Sequence, residues 1–162
     1  MTVDSSLSAE NIKSSLEKYM YDRFVTIDGL IVHWEGAKDI DTNTVDEWVQ
    51  PRTLYGAPEF CGWVSECQRG QLRPILLNIN IFVRRDSTNN ANRLTELRDI
   101  VANYFNVGQL ITLKDYRGTG ASVDNMIVRD VMTDTNFPTG DQLYWQWVYT
   151  PILYLVQGWT VV

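Results

Sequence analysis

The most regular pattern in the chain is a strict alternation of side-chain types between residues 75 and 84. In this run, ILLNINIFVR, every odd-numbered residue is aliphatic, while the even-numbered residues include Asn78, Asn80 and Arg84. Successive side chains of a β-strand point to opposite faces of a sheet. The alternation therefore predicts a strand with one face in the core and one half-polar face.

Two other stretches repeat apolar residues at intervals of three and four, which is the period of an amphipathic helix. The first follows Ser8, a residue that can cap a helix, and predicts a helix over about residues 8–24. The second follows the polar run DSTNNAN and predicts a helix over about residues 91–105. The apolar stripes are Ile12, Leu16, Tyr19, Met20 and Phe24 in the first helix, and Leu94, Leu97, Val101, Tyr104 and Phe105 in the second.

Segments rich in β-branched and aromatic residues, separated by turn-forming residues, predict further strands. A short strand is expected through Ile31 and Trp34, after the turn residues Asp28 and Gly29. Pro51 confines the next strand to an edge or a bulge, because proline has no N–H for a ladder bond. The remaining strands lie within residues 46–58, 109–116 and 123–134, and a long connection covers residues 59–71.

The last predicted strand, within residues 142–157, is apolar on both faces and dense in aromatic residues. Pro151 in this segment indicates an edge position or a bulge. A strand that is apolar on both faces needs cover on both, and two helices on one face leave the other without a partner in the chain. We therefore expect another subunit to supply that cover. The predicted interface residues are Asn78, Asn80 and Arg84 on the half-polar face, and Tyr144, Trp145, Trp147, Tyr149 and Tyr154 in the aromatic strand.

The order of elements is helix, strands, long connection, strand, helix and three strands, which differs from the regular strand and helix alternation of a parallel sheet. It predicts an α+β fold, with an antiparallel-rich twisted β-sheet and two α-helices packed on one face. A single domain over residues 1–162 accounts for the whole sequence, with residues 158–162 as a tail.

Composition and charge narrow the range of functions. The hydrophobic share of 44% and the charged share of 21% are those of a globular protein. Fourteen basic and twenty acidic residues give a net charge of −6, which argues against sequence-independent binding of DNA or RNA. The start of the sequence lacks the pattern of a signal peptide, and no run reaches the roughly 18 apolar residues of a membrane helix. We expect folding in a cytoplasm and no membrane contact.

Candidate catalytic groups are few. His33 is the only histidine, so a site that needs a histidine pair is excluded, and no G-x-S-x-G motif is present to serve a triad. Asp46 and Glu47 are adjacent, and adjacent side chains on a strand point to opposite faces, so this pair cannot flank one bond. The sequence therefore predicts that the protein is not an enzyme.

One motif comes close to a calcium site. Asp39, Asp41 and Asn43 match the first ligand positions of an EF-hand loop, in which closely spaced oxygens bind the ion. Thr44 and Gln50, however, stand where that loop needs a glycine and a bidentate glutamate. We interpret the segment as a solvated acidic loop.

Two further motifs have ordinary structural explanations. Residues 118–120, GTG, resemble the start of a dinucleotide loop, but no third glycine follows, and we interpret them as a hairpin tip. Cys61 and Cys67 match neither a zinc spacing nor a dense disulfide framework, and they are either free thiols or a hairpin-closing disulfide. No cofactor and no metal site is predicted.

Six segments follow one another in the sequence: an N-terminal helix, WVQPRTLYG, PILLNINIFVRRD, NRLTELRDIVANYF, LITLKDY and a closing strand that ends TPILYLVQ. Their order and spacing resemble those of the tail terminator proteins of long-tailed (siphovirus-like) bacteriophages. The resemblance covers residues 7–157 and rests above all on the strand, turn and helix from Pro74 to Phe105. The connection EFCGWVSECQRG is longer than the family pattern.

The resemblance implies a structural virion protein whose small α+β subunits form a ring, a hexamer, at the head-proximal end of the tail tube. Such a ring stops tube polymerisation and provides the joining surface for the head connector in the neck of the virion. Its partners are further copies of itself, the tail tube protein and a head-completion or connector protein, assembled in the bacterial host cytoplasm. DNA passes through the lumen without specific binding, which agrees with the net charge of −6.

Two alternatives remain open at this point. Another neck or tail-completion protein, or a tail tube subunit, would also use a small sheet with one or two helices. A carbohydrate-binding host-recognition module would instead expose its tryptophans and tyrosines so that they stack on sugar faces.

Overall fold

A computed structural model of the chain describes residues 8–41, 44–55, 59–60, 71–72, 74–85, 90–136 and 143–156. The helical elements are α1 (Ala9–Met20), a π-helix (Tyr21–Ile27) and α2 (Asn90–Tyr104). The strands are β1 (Glu47–Tyr55), β2 (Glu59–Phe60), β3 (Gln71–Leu72), β4 (Ile75–Arg84), β5 (Leu110–Lys114), β6 (Ser122–Asn136) and β7 (Tyr144–Leu155).

Five strands form a twisted, curled sheet in the order β1-β4-β7-β6-β5, and every neighbouring pair is antiparallel. The two short strands β2 and β3 pair with each other as a separate antiparallel sheet, within the connection expected at residues 59–71. The predicted α+β fold with an antiparallel twisted sheet is confirmed.

The first helix begins as the sequence predicts and ends later. Ser8 caps α1, since its hydroxyl accepts a hydrogen bond from the Asn11 backbone N–H at 3.2 Å. After Met20 the backbone continues as a π-helix to Ile27, three residues beyond the expected end near residue 24. The wider turns of this segment still bury Phe24 completely.

Both helices pack on the same face of the sheet. The odd-numbered residues of β4 are buried and the even-numbered ones are half-buried, so the predicted alternation is confirmed. Leu94, Leu97 and Val101 of α2, and Phe105 directly after it, are buried in one core shared with these residues and the apolar stripe of α1. The Tyr19 hydroxyl of α1 donates to the Tyr104 carbonyl at the end of α2 at 2.7 Å, which joins the two helices.

The strand predicted through Ile31 and Trp34 is wrong. This segment makes one isolated parallel bridge, between Val32 and Val49 of β1. The His33 N–H donates to the Val49 carbonyl at 2.8 Å, and the Val49 N–H donates to the Ile31 carbonyl at 2.9 Å. The π-helix uses the chain up to Ile27, and only a short stretch remains to run beside the outer edge of β1.

The two strand prolines behave differently. Pro51 lies in β1, an edge strand, as predicted. Pro151 lies in β7, which is the central strand, so the expectation of an edge position is wrong for it. The β4–β7 register continues on both sides of Pro151 but no pairing is made where it faces Leu77, because proline supplies no N–H there. On the other side β6 changes register between Val128 and Asp130, which is the irregularity that Pro151 indicated.

Other expectations fall partly outside the described residues. These are the states of Cys61 and Cys67 and the tail at residues 158–162. The GTG segment lies in the turn between β5 and β6, as expected of a hairpin tip. None of the helices in the described part of the chain is both long and apolar enough to cross a membrane.

Truncation of a core residue at the junction of the two helices should destabilise the fold strongly. Phe105 has no exposed surface and its ring contacts the rings of Tyr19 and Phe24 at centroid distances of 5.5 and 6.2 Å. We expect Phe105→Ala to lower the free energy of unfolding by about 3–5 kcal/mol, measured by chemical denaturation. Val107→Ala, at a site that is 66% exposed, should change it by less than about 0.5 kcal/mol. Equal losses for the two variants would contradict the assigned core.

Candidate subunit interface

The sheet face opposite the helices is the candidate site, and we call it the open face. No helix within the described ranges covers it, since α1 packs on β5 and α2 packs on β4 and β7 from the other side. Most of its side chains are half-buried, and they mix aromatic, aliphatic and amide groups. Its three main strands contribute Trp48, Gln50, Arg52 and Leu54 from β1, Leu76, Asn78, Asn80, Phe82 and Arg84 from β4, and Tyr144, Gln146, Val148, Thr150, Ile152 and Tyr154 from β7.

A row of amides crosses the middle of the open face. The Gln146 side-chain N–H donates to the Asn80 side-chain oxygen at 2.8 Å, and the Asn80 N–H donates to the Asn78 oxygen at 2.9 Å. Each amide has two donor hydrogens and two acceptor sites, so these two bonds use only part of its capacity. The row therefore presents remaining donors and acceptors at the surface, in a fixed geometry.

An aromatic cluster lies at one end of the open face. Trp48 stacks on Phe82 at a centroid distance of 4.8 Å and meets Tyr144 edge-on, also at 4.8 Å. The Arg84 guanidinium lies 5.9 Å from the centre of the Tyr144 ring, and its Nε is 3.1 Å from an Asp46 carboxylate oxygen. Trp48 is buried although it is not part of the core under the helices, so the cluster forms a second, smaller apolar unit.

Aliphatic and tyrosine side chains occupy the other end of the open face. Leu76 and Ile152 are cross-strand partners and both are half-buried, while Leu54 of β1 is exposed. Tyr154 is half-buried, and the Arg129 guanidinium lies 5.8 Å from its ring centre. Arg129 is the extra residue at the register shift of β6, which positions it beside this ring.

The structure divides the predicted interface residues between two faces. Five of them lie on the open face: Asn78, Asn80, Arg84, Tyr144 and Tyr154. The other three, which alternate with them, pair with odd-numbered core residues of β4 and point toward α2. They are Trp145, Trp147 and Tyr149, which lie opposite Val83, Ile81 and Ile79.

These three aromatic residues are held against the helices. The Trp147 indole N–H donates to the Thr133 hydroxyl, and the Arg98 guanidinium of α2 lies 5.6 Å from the Trp147 ring centre. Tyr149 is only 4% exposed, and its hydroxyl donates to the Phe105 carbonyl at 3.4 Å. Tyr149 therefore contributes to the core and offers no surface to a partner.

The predicted interface residues leave out several residues of the open face, among them Trp48, Phe82 and Gln146. Phe82 is an even-numbered residue of the alternating strand, as Asn80 is, and Gln146 is even-numbered, as Tyr144 is. The sequence pattern alone therefore places both on the same face as the predicted residues. Trp48 carried no such signal, because only the cross-strand pairing of β1 with β4 brings it beside Phe82.

The other chemical candidates show ordinary structural roles. His33 contributes its backbone N–H to the bridge with β1. Among the described residues, no group of three or more His, Cys, Asp or Glu side chains is arranged to hold a metal ion. Asp46 lies beside Arg84, while Glu47 pairs with Arg93 of α2 at 2.7 Å, so the adjacent carboxylates point to different faces as predicted.

Burial of Tyr149 gives the fold a specific sensitivity to alkaline pH. Burial raises the pKa of the Tyr149 phenol above its ordinary value of 10.0, against an opposing effect of Arg98. The folded state therefore favours the neutral phenol, so its contribution to stability is complete below pH 10.0 and is lost as the pH rises above it. We expect Tyr149→Phe to make the fall in unfolding free energy above that pH shallower. Equal slopes for variant and parent, in denaturation curves recorded across this range, would contradict the assignment.

Comparisons with known proteins support the fold and leave the function open. No protein-family model matches the sequence, and no curated protein matches it. Solved structures do match, and one of them has a TM-score of 0.58 and 14% sequence identity, with 92% of this chain and 96% of that chain covered. At this level of identity, the chain is similar to that protein in fold alone.

Proposed function

We propose that this chain is a tail terminator subunit of a long-tailed bacteriophage. In this role it forms a ring, a hexamer, at the head-proximal end of the tail tube, stops tube polymerisation and provides the joining surface for the head connector. The observation that carries the proposal is the open face, a half-buried, mixed apolar and amide surface on a sheet whose other face already holds the core.

The chemistry of the open face supports contact with another protein. Interface centres combine aromatic residues and arginine with a limited number of hydrogen-bonding groups, and they are poor in lysine and acidic residues. The aromatic cluster around Trp48, the amide row around Asn80 and Arg84 beside the Tyr144 ring fit that composition. A rigid strand framework holds all of them, so little side-chain freedom is lost when a partner binds.

A closed ring also requires heterologous contacts, in which each subunit offers two different surfaces. The open face differs along its length, with an aromatic end near Trp48 and an aliphatic end near Ile152. The net charge of −6 supports the proposed lumen, because a channel for DNA must not bind phosphates tightly. The proposed partners are other copies of the chain, the tail tube protein and a head-completion or connector protein.

One observation favours the carbohydrate-binding alternative. The rings of Tyr21 and Trp34 lie 6.5 Å apart with an interplanar angle of 31°, and Tyr21 is 48% exposed. They line an open groove together with Ser14 and Glu17, whose oxygens can hydrogen-bond to sugar hydroxyls. A glycan array tests this alternative directly: binding that Trp34→Ala abolishes, by a protein that stays monomeric, would replace the proposal above.

Electron microscopy of the purified protein and a tube-capping assay test the proposal together. We expect sixfold rings in negatively stained fields, and a dose-dependent limit on the length of tubes grown from purified tail tube protein. A monomer at high protein concentration that has no effect on tube length would refute the terminator role.

A matched pair of variants tests the open face. Asn80→Arg places a bulky charge in the amide row, where a partner would leave it buried and unpaired, and we expect it to abolish rings and capping. Asn103→Arg makes the same change on the exposed side of α2 and should leave both unchanged. Light scattering measures assembly, and circular dichroism verifies that both variants are folded. Normal assembly by Asn80→Arg would exclude the centre of the open face from the subunit contact.

A further inference from the structure

We infer that the outer edge of β5 is a strand-accepting site, and that its occupant is an extended segment of a second copy of this chain. The inference rests on the ring proposed above and specifies one of its contacts.

The register of β5 determines which of its backbone groups point away from the sheet. The Val128 N–H of β6 donates to the Gln109 carbonyl at 3.0 Å, and the Val128 carbonyl accepts the Gly108 N–H at 2.7 Å, so Val128 and residues 108–109 form a hydrogen-bonded pair position of the ladder. In an antiparallel ladder such pairs alternate with pairs that make no mutual hydrogen bonds. Leu110 and Thr112 belong to the second kind, opposite Ile127 and Asn125, so their N–H and C=O groups point outward.

Side chains of helix α1 accept hydrogen bonds from outward backbone N–H groups at the C-terminal end of this edge, but not from those at its N-terminal end. The Ser15 hydroxyl accepts the outward N–H of Lys114 at 3.0 Å, and the Asn11 side-chain oxygen accepts the N–H of Tyr116 at 3.1 Å. Both side chains are buried, so these bonds are permanent parts of the fold. No such acceptor lies at the N–H of Leu110 or Thr112 among the described residues.

The opposite edge of the sheet is interrupted as a strand acceptor. In β1 the outward groups of Val49 are already bonded to the segment around Val32. The next outward position is Pro51, which has no N–H to donate. An added strand would lose two successive contacts there. On β5 the outward positions Leu110 and Thr112 both keep their N–H groups, and the Leu110 carbonyl accepts only an exposed hydrogen bond from the neighbouring Gln109 side chain, at 3.2 Å.

The groove beside the β5 edge has a charge that suits a copy of this protein. It lies between β5 and the helical segment around the end of α1 and has a volume of about 260 Å³. Among the described residues that line it, Lys18, Arg23 and Lys114 stand against one acid, Asp22, so this lining is basic on a chain whose net charge is −6. A surface of opposite sign to the whole molecule attracts a second copy and orients it.

The side chains on this edge extend the open face. Leu110 is 51% exposed and lies opposite Ile127, which in turn lies opposite Tyr154 of the open face. A strand added outside β5 would cover Leu110 and continue the same surface onto the next subunit. The strand-accepting edge and the open face would then form one continuous contact.

A proline substitution tests the edge with little effect on the subunit. Thr112→Pro removes an N–H that makes no bond within the sheet, and proline is tolerated in edge strands. We expect this variant to be folded by circular dichroism, with an unfolding temperature near that of the parent, and to remain monomeric in sedimentation velocity. The matched control Thr112→Val changes the same side chain, keeps the N–H and should assemble like the parent.

A charge reversal in the groove gives an independent readout, including the case in which Thr112→Pro does not fold. Lys114→Glu should raise the protein concentration needed for assembly several-fold, because a like-charged groove repels an acidic copy. Lys38→Glu makes the same change in net charge on an exposed residue that does not line the groove, and it should leave that concentration unchanged.

The outcomes separate this inference from the proposed function. A parent protein that remains monomeric would overturn both. A parent that forms rings, together with a folded Thr112→Pro that also forms them, would overturn the strand-accepting edge and leave the terminator role standing. If Thr112→Pro is unfolded, a Lys114→Glu variant that assembles at the concentration of the parent would overturn it equally.

Discussion

Two helices cover one face of a five-stranded sheet, and the rest of the molecule depends on which residues of β4 and β7 lie beneath them. The side-chain period of a strand is two, so packing Ile79 and Tyr149 into the core puts Asn80 and Val148 on the other face. The register shift in β6 preserves this arrangement, because it inserts one extra residue into the alternation. Val128 before the shift and Val131 after it therefore both pack toward the core, although one is even-numbered and the other odd-numbered. One bulge thus keeps a fifteen-residue strand amphipathic next to a partner that contains a proline.

The two edges of the sheet are protected to different degrees, and this difference gives the subunit a direction. At β1 a parallel bridge at Val49 and the missing N–H of Pro51 break the row of outward backbone groups. At β5 the buried polar side chains Asn11 and Ser15 satisfy the far end, while the near end stays open beside a basic groove. A subunit with two unlike edges cannot make the same contact on both sides, which is the asymmetry that a head-to-tail ring requires.

The sequence predicts the parts of this fold that depend on local pattern. The alternation in β4 identified its core face, because aliphatic residues contrast there with asparagine and arginine. The same reasoning failed to divide the aromatic residues of β7, since large apolar side chains on both faces carry no such contrast. Trp147 and Tyr149 were therefore grouped with Tyr144 and Tyr154, although they point the opposite way. Strand order is a long-range property, and for this reason Pro51 at an edge and Pro151 in the centre could not be told apart from sequence alone.

The separation of the two faces determines how folding and the proposed assembly would be linked in this chain. The core under the helices is complete within one subunit: its apolar side chains are buried without any contribution from the open face. The aromatic cluster around Trp48 adds a second apolar unit that is only partly covered, and a partner would finish burying it. The two sets of residues alternate along the same strands. A substitution at an exposed or half-buried even position of β4 or β7 would therefore affect the proposed assembly with little loss of subunit stability. A substitution at an odd position would instead lower the stability of the subunit itself. The pleat of the sheet thus allows a single pair of central strands to hold the fold together on one side and to present the proposed contact surface on the other.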